Sequence, residues 1–410
     1  MTASRHLARR SFLLRSAATG LVLATSRLRG VRAAGDRFRI GALNPVSGAG
    51  GPYGGGMQKM ILAAAAEVNA AGGAGGRQLE VVAEDTQTSP DAAVLAAKKL
   101  IEVNGAQVIM GTWSSGVTLA VMPITTAAGV PLMCTSGAPA ISTEDKEDLV
   151  WRFQATTDRF GEAFAKAAVR HGFKRAATMA FNNASGLGNT RAFQRAFKAL
   201  GGEIVAEVVY EPKQPSYRSE LQQVLAAEPE VIVMGSYLPD TTIILREWWQ
   251  TGQPVRWIIP GWAANEKLIE ALGPEVCEGI IRVESIPNED ASSYRHFAEL
   301  YRKETGEDPA SNIYASMTYD MVVSWALAME AAGAGADARA INARMRDVAN
   351  PDGREVFTFA EGKAALAEGA IDYQGASSRL DFDEYGDVTP NFGEYLITGG
   401  RIVRKAVITL

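Results

Sequence analysis

The sequence predicts an α/β protein built as two doubly wound parallel-sheet lobes. Short β-rich runs alternate with longer helical runs from residue 37 onward. A first block of this alternation closes with Val130–Cys134, and a second restarts at Ala176. Alternating strand and helix signals favour parallel sheets with helices on their faces. The chain has 410 residues, 47% hydrophobic and 21% charged. That length suits two cores at about 100–200 residues each.

Each element has a local reason. Arg37–Leu43 reads as a strand, ended by Asn44-Pro45. Tyr53–Ala71 carries Ala and Met at helical spacing, and Leu79–Glu84 is the next strand. Ser89-Pro90 then supplies an N-cap and a proline for the first helical position. Asp91 falls at the positive end of that helix and Lys98-Lys99 near its negative end. Ala106–Gly111 and Val130–Cys134 are the third and fourth strands. The second block reads as strands at 176–181, 203–210, 231–235 and 257–260, with helices near 189–200, 216–227 and 240–250.

Open α/β sheets bind ligands beyond the carboxyl ends of their strands. Here those ends carry small, hydroxyl and aromatic residues and few charges. They are Trp113-Ser114-Ser115, Thr135-Ser136-Gly137-Ala138, Ser236-Tyr237 and Gly261-Trp262. Each hydroxyl could equally cap a helix, and each ring could equally be core.

The formal net charge of −5 argues against nucleic acid as a partner. Seven arginines and no acid lie in the first 33 residues. Setting those seven aside leaves 34 basic residues against 46 acidic ones, a net charge of −12. Arg9-Arg10-Ser11-Phe12-Leu13-Leu14 looks like a twin-arginine export motif. The apolar stretch Ala17–Thr25 is too short to span a bilayer, which takes about 20 residues. Cleavage after Ala33 is expected, so residues 1–33 read as a signal peptide and the mature chain as periplasmic. A disordered basic tail or a short anchor helix is the alternative. Cys134 and Cys277 read as two buried thiols, although the compartment leaves a disulfide open.

Reactive chemistry is scarce. His171 and His296 are the histidines beyond the leader, both in helical stretches away from strand ends. No H-E-x-x-H, G-x-S-x-G or P-loop occurs. The glycine run Gly48–Gly56 is too loose for a dinucleotide fingerprint, and Glu84-Asp85 fits loop capping better than metal binding. No catalytic residue, metal or cofactor is expected.

Several stretches in order point to a family. They are Ile40–Gly48, Glu67–Gly73, Asp91–Leu100, Gly129–Leu132, Tyr314–Asp320 and Leu380–Asp387. Together they resemble the periplasmic solute-binding proteins of the branched-chain amino acid type, receptors of ATP-driven importers. The resemblance implies the type I fold of that family, two lobes joined by a three-segment hinge. Lobe one would take residues 36–153 and 285–370, lobe two 154–284 and 371–410. It implies a monomer that delivers a small-molecule ligand to a membrane permease. Carried over, the carboxylate site falls on Ser114, Ser115 and Ser136-Gly137-Ala138. Relatives that bind α-amino acids usually carry Thr at Ala138, an ammonium-accepting acid at Gly261 and often Tyr at Ser185. These departures, with Tyr53, Trp113, Tyr237 and Trp262 at cleft positions, point to an aromatic or branched acid or amide. Asp240 is the alternative ammonium acceptor. A ligand-sensing subunit is the competing role.

Overall fold

The computed structural model describes residues 37–410, so the expected leader at residues 1–33 lies outside the described residues. Five strands, β1 (Arg37–Asn44), β2 (Gln78–Asp85), β3 (Val108–Thr112), β4 (Leu132–Cys134) and β5 (Val150–Arg152), form a parallel sheet in the order β2-β1-β3-β4-β5. Five more, β6 (Arg175–Phe181), β7 (Glu203–Tyr210), β8 (Val231–Gly235), β9 (Arg256–Pro260) and β10 (Ile281–Ser285), repeat that order as β7-β6-β8-β9-β10. Both sheets therefore reverse strand order at one place, between β1 and β3 and between β6 and β8. That crevice is where doubly wound sheets take ligands.

Ser89 Oγ accepts the Ala92 N–H at 3.5 Å and starts the helix Pro90–Lys98, with Asp91 in its first turn. Asn183 Oδ1 does the same for Ala184–Ala199, accepting from Gly186 N–H at 2.7 Å. The helix Ile313–Ala332 is buried from Tyr314 to Met329 and packs against Gly51–Ala70. Its buried polar members are hydrogen-bonded, Asp320 accepting from Tyr373 OH at 2.8 Å and from Ser377 N–H at 2.6 Å.

Two features depart from the expected pattern. β11 (Arg354–Val356) and β12 (Ile371–Tyr373) pair with each other, while β13 (Phe392–Thr398) and β14 (Arg401–Ile408) add an antiparallel hairpin beyond β10. Gly399 and Gly400 turn that hairpin at φ 56° and 73°, a conformation side chains resist. Ile371 and Tyr373 are buried beside β11, and Arg152 N–H donates to Gly386 O at 2.8 Å. Asp387 bridges to Arg152 of the five-stranded sheet, and the chain joins the larger sheet at Phe392.

Candidate functional site

The strand ends of both sheets converge on one small cavity of ≈ 20 Å³. From the first sheet come Trp113 and Ser115 after β3, and Thr135 and Gly137 after β4. Gln154, Thr157 and Phe160 come from the crossing after β5 and the helix Thr157–Arg170. The second sheet supplies Ser185, Tyr237 and Trp262, and the helix Ile313–Ala332 supplies Tyr314.

The cavity lining is of two chemical kinds. Hydroxyls and an amide make up one. Thr135 Oγ1, Thr157 Oγ1 and Gln154 Nε2 are buried there without a hydrogen-bond partner. Buried polar groups normally have partners, so three such atoms around one cavity mark a place for a polar group. The helix Ser115–Ala128 begins at the same wall with no side chain capping its N-terminus. Its free N–H groups and dipole favour an anion. Rings make up the other kind. Trp113 lies 5.0 Å from Tyr237 and edge-on to Tyr314 at 5.8 Å, and Phe160 stands edge-on to Trp262 at 5.0 Å. None of the eleven lining side chains carries a formal charge.

Arg152 holds the polar wall from behind. It is fully buried, donating through Nη1 to Ser136 O (2.9 Å) and Ala138 O (3.0 Å). Nε donates to Asp387 Oδ1 at 2.7 Å and Nη2 to Ser142 Oγ at 2.6 Å.

Of the residues singled out in the sequence, Trp113, Ser115, Gly137, Ser185, Tyr237 and Trp262 line the cavity. The others stand elsewhere. Ser114 Oγ lies 3.1 Å from Tyr237 OH, a hydrogen bond from one sheet to the other. Tyr53 OH makes a second such link, donating to Trp262 O (3.1 Å) and accepting from Asn265 Nδ2 (2.6 Å). Burial pushes the phenols of Tyr53, Tyr237 and Tyr314 up, so all three stay neutral. Ser136 Oγ turns back to Trp113 O (3.0 Å) and Thr118 Oγ1 (2.5 Å), and Ala138 N–H donates to Ser115 Oγ (3.1 Å). Gly261 donates its N–H to Val283 O, and the space beside its Cα is filled by the Glu284 carboxyl. Asp240 is engaged by Tyr217 OH at 2.7 Å and lies outside the lining.

Thr135, Gln154, Thr157, Phe160 and Tyr314 were not foreseen as lining residues. Thr135 opens the singled-out run after β4, and Gln154 sits on the expected first crossing. Tyr314 opens one of the family-resembling stretches without being singled out, and Phe160 had no signal. Outside the cavity, His171 pairs with Glu394 (3.0 Å) and His296 with Glu67 (2.9 Å). Asp85 accepts Ser47 Oγ at 2.6 Å and Gln87 N–H at 2.8 Å, a loop cap. Cys134 and Cys277 are free thiols, both buried. Among the described residues, no three His, Cys, Asp or Glu side chains are grouped to hold a metal ion. A larger groove of ≈ 710 Å³ along 286–290 and 378–391 contains none of the strand-end rings, and its walls are charged, the Arg404–Glu289 pair (2.6 Å) included.

The profile described as periplasmic binding protein matches residues 37–369. The chain belongs to this family. A leucine-, isoleucine-, valine-, threonine- and alanine-binding protein of Pseudomonas aeruginosa is 24% identical to this binding protein over 356 residues, 87% of this chain and 88% of the relative. A leucine-binding protein of Thermotoga maritima shares the fold with a TM-score of 0.78 at 23% identity, over 90% of this chain and 98% of that one. A solute-binding protein of R. palustris solved in complex with benzoate does so with a TM-score of 0.73 at 20% identity, over 91% and 96%. Among the described residues of the binding protein, no helix is long and apolar enough to cross a membrane.

Proposed function

We propose that this binding protein is the extracytoplasmic receptor of an ATP-driven importer, capturing a small carboxylate-bearing solute with an apolar body. One observation carries the reading. Three residues with unpartnered buried polar atoms share with a set of aromatic rings the lining of one cavity that has no charged side chain. The polar wall takes the carboxylate through the Ser115 and Thr135 hydroxyls, the Gln154 amide, Thr157 and the helix N-terminus. Trp113, Phe160, Tyr237, Trp262 and Tyr314 close over the body, and Ser185 adds a hydroxyl from the second lobe. Relatives that bind branched-chain amino acids or benzoate support this ligand class.

A cavity of ≈ 20 Å³ has room for little more than one water. Ligand entry therefore needs the lobes to part at the three crossings, breaking the Ser114–Tyr237 and Tyr53–Trp262 links. On this reading one lobe comprises 37–153 with 286–387 and the other 154–285 with 388–410. The protein is exported by its twin-arginine leader, works as a monomer without cofactor, performs no chemistry on the solute and hands it to a membrane permease.

Calorimetric titration with branched and aromatic amino acids, their deaminated acids and the matching amides tests the reading. One-to-one binding of at least one acid-bearing member is expected. Heat from none of them, with no rise in Tm, refutes it.

A further inference from the structure

We infer that Arg152 is a positioning residue of the anion subsite: it holds the Ser136 carbonyl so that the next N–H, that of Gly137, is aimed into the cavity as a donor to the solute's carboxylate. The inference rests on the binding reading above and deepens it.

The turn after β4 shows where its backbone groups go. Ser136 O and Ala138 O both accept from Arg152 Nη1, at 2.9 and 3.0 Å. Gly137 O accepts the Thr157 N–H at 2.7 Å. All three carbonyls are therefore engaged from the end of β5 or from the start of the helix Thr157–Arg170. In a trans peptide the N–H points opposite to the carbonyl of the same unit. The Ala138 N–H, opposite Gly137 O, meets Ser115 Oγ at 3.1 Å. Pro139, which follows Ala138, has no N–H. The Gly137 N–H, opposite Ser136 O, has no acceptor among the described residues, and Gly137 lines the cavity. The unpartnered Thr135 and Thr157 hydroxyls and the Gln154 amide line that same cavity.

This peptide needs a holder. Glycine accepts φ of either sign, so a peptide that leads into glycine turns over at little steric cost. Turned over, it presents the Ser136 oxygen to the cavity, an acceptor where a carboxylate needs a donor. Arg152 decides between the two orientations by taking that oxygen from behind. The guanidinium is itself fixed in a ring of hydrogen bonds. Nε donates to Asp387 Oδ1, Nη2 donates to Ser142 Oγ, and Ser142 Oγ donates to Asp387 Oδ2 at 2.7 Å. Arg152 is 0% exposed and is not part of the cavity lining. Its charge, balanced by Asp387, reaches the cavity only through the peptide, whose N–H it polarises into a stronger donor. A cavity with no charged side chain thereby favours an anion.

The double variant Arg152→Met/Asp387→Leu removes both charges together and strands neither. Leucine, phenylalanine, 4-methylpentanoate and 3-phenylpropanoate are each titrated calorimetrically beside the matching amide, with parent and variant. An acid that the parent binds is expected to bind the folded variant at least about tenfold more weakly, the worth of a charge-assisted hydrogen bond, and its amide to change by no more than about threefold. A merely structural role weakens acid and amide alike. That outcome, or an unchanged affinity for the acid, overturns the inference and leaves the receptor reading standing. In the unaltered protein the Gly137 amide proton is expected to move downfield in NMR spectra on binding the acid. A Gly137 signal that stays in place overturns the inference, and this measurement decides alone should the variant fail to fold or the amides bind too weakly to measure. Binding by neither these ligands nor the wider panel overturns both readings.

Discussion

Glu284 makes a prediction about the ligand-free protein. In the fold its carboxyl titrates at about 7, against an ordinary value of 4.5, because burial disfavours the charged form. The raised value fixes the sign. Stability from the neutral acid is fully present below about pH 4.5 and is lost as pH rises through about 7. The gap between the two values corresponds to about 3 kcal/mol. Glu284→Gln keeps the shape and removes the charge. Without ligand, the variant should match the parent at about pH 4.5 and exceed it by up to about 3 kcal/mol at about pH 8. For a chain of this size that is about 4 °C in Tm. Asp320, pushed up to about 6 by burial, and His296, raised by Glu67, titrate nearby in both proteins and cancel in the difference. Calorimetric melts across that pH range measure it. A difference that stays flat, or a parent that gains on the variant as pH rises, refutes the account of an acid whose burial outweighs the nearby Arg282.

Other expectations follow from the same geometry. Arg152→Met should cost about 3–5 kcal/mol in urea melts, since it strands the Asp387 carboxylate, and adding Asp387→Leu should recover most of that; a double variant as unstable as the single one rules out the stranded charge as cause. Gln154→Leu and Thr157→Val should weaken solute binding while leaving ligand-free stability equal or higher, because each removes an orphaned polar atom; a loss of stability with unchanged affinity would assign them to the scaffold. Ser115→Ala and Trp113→Ala should each weaken binding about tenfold or more with the fold intact, and unchanged affinity in both removes the first-sheet wall from the site. Cys134 and Cys277, each pushed up to about 11 by burial, should resist a thiol reagent in the native protein and react as two free thiols after unfolding. Protection that needs reductant to lift would contradict the separate thiols.

Local signals were legible wherever the cause was local. The strands at 203–210 and 231–235 match their sequence reading end to end, the second because an apolar run bounded by turn residues announces a buried parallel strand. Ser89-Pro90 announced its helix through capping chemistry alone. Short elements such as β5 and β12, three residues each, gave too few positions for a period to show. The path of residues 371–387 was hidden because Asp387 earns its place by pairing with Arg152, 235 positions earlier.

For the site, strand ends were readable because sheet topology places them, and six of the eleven proposed residues line the cavity. Direction was not readable. A strand end says that Ser114 and Ser115 are both near the crevice, but the turn decides that Ser115 lines it and Ser114 bonds to Tyr237. Gly261 looked like a lost acid in one dimension, while Glu284 fills its place from the adjacent strand.

The order of apolar and polar residues along the chain by itself determined the α/β class, the two repeated sheets and the crevice where their ends meet, because periodicity and capping act within a few residues. Only the tertiary structure decided which side chains face that crevice and which are tied to one another across it. Those outcomes depend on contacts between residues tens to hundreds of positions apart, and no local pattern encodes them.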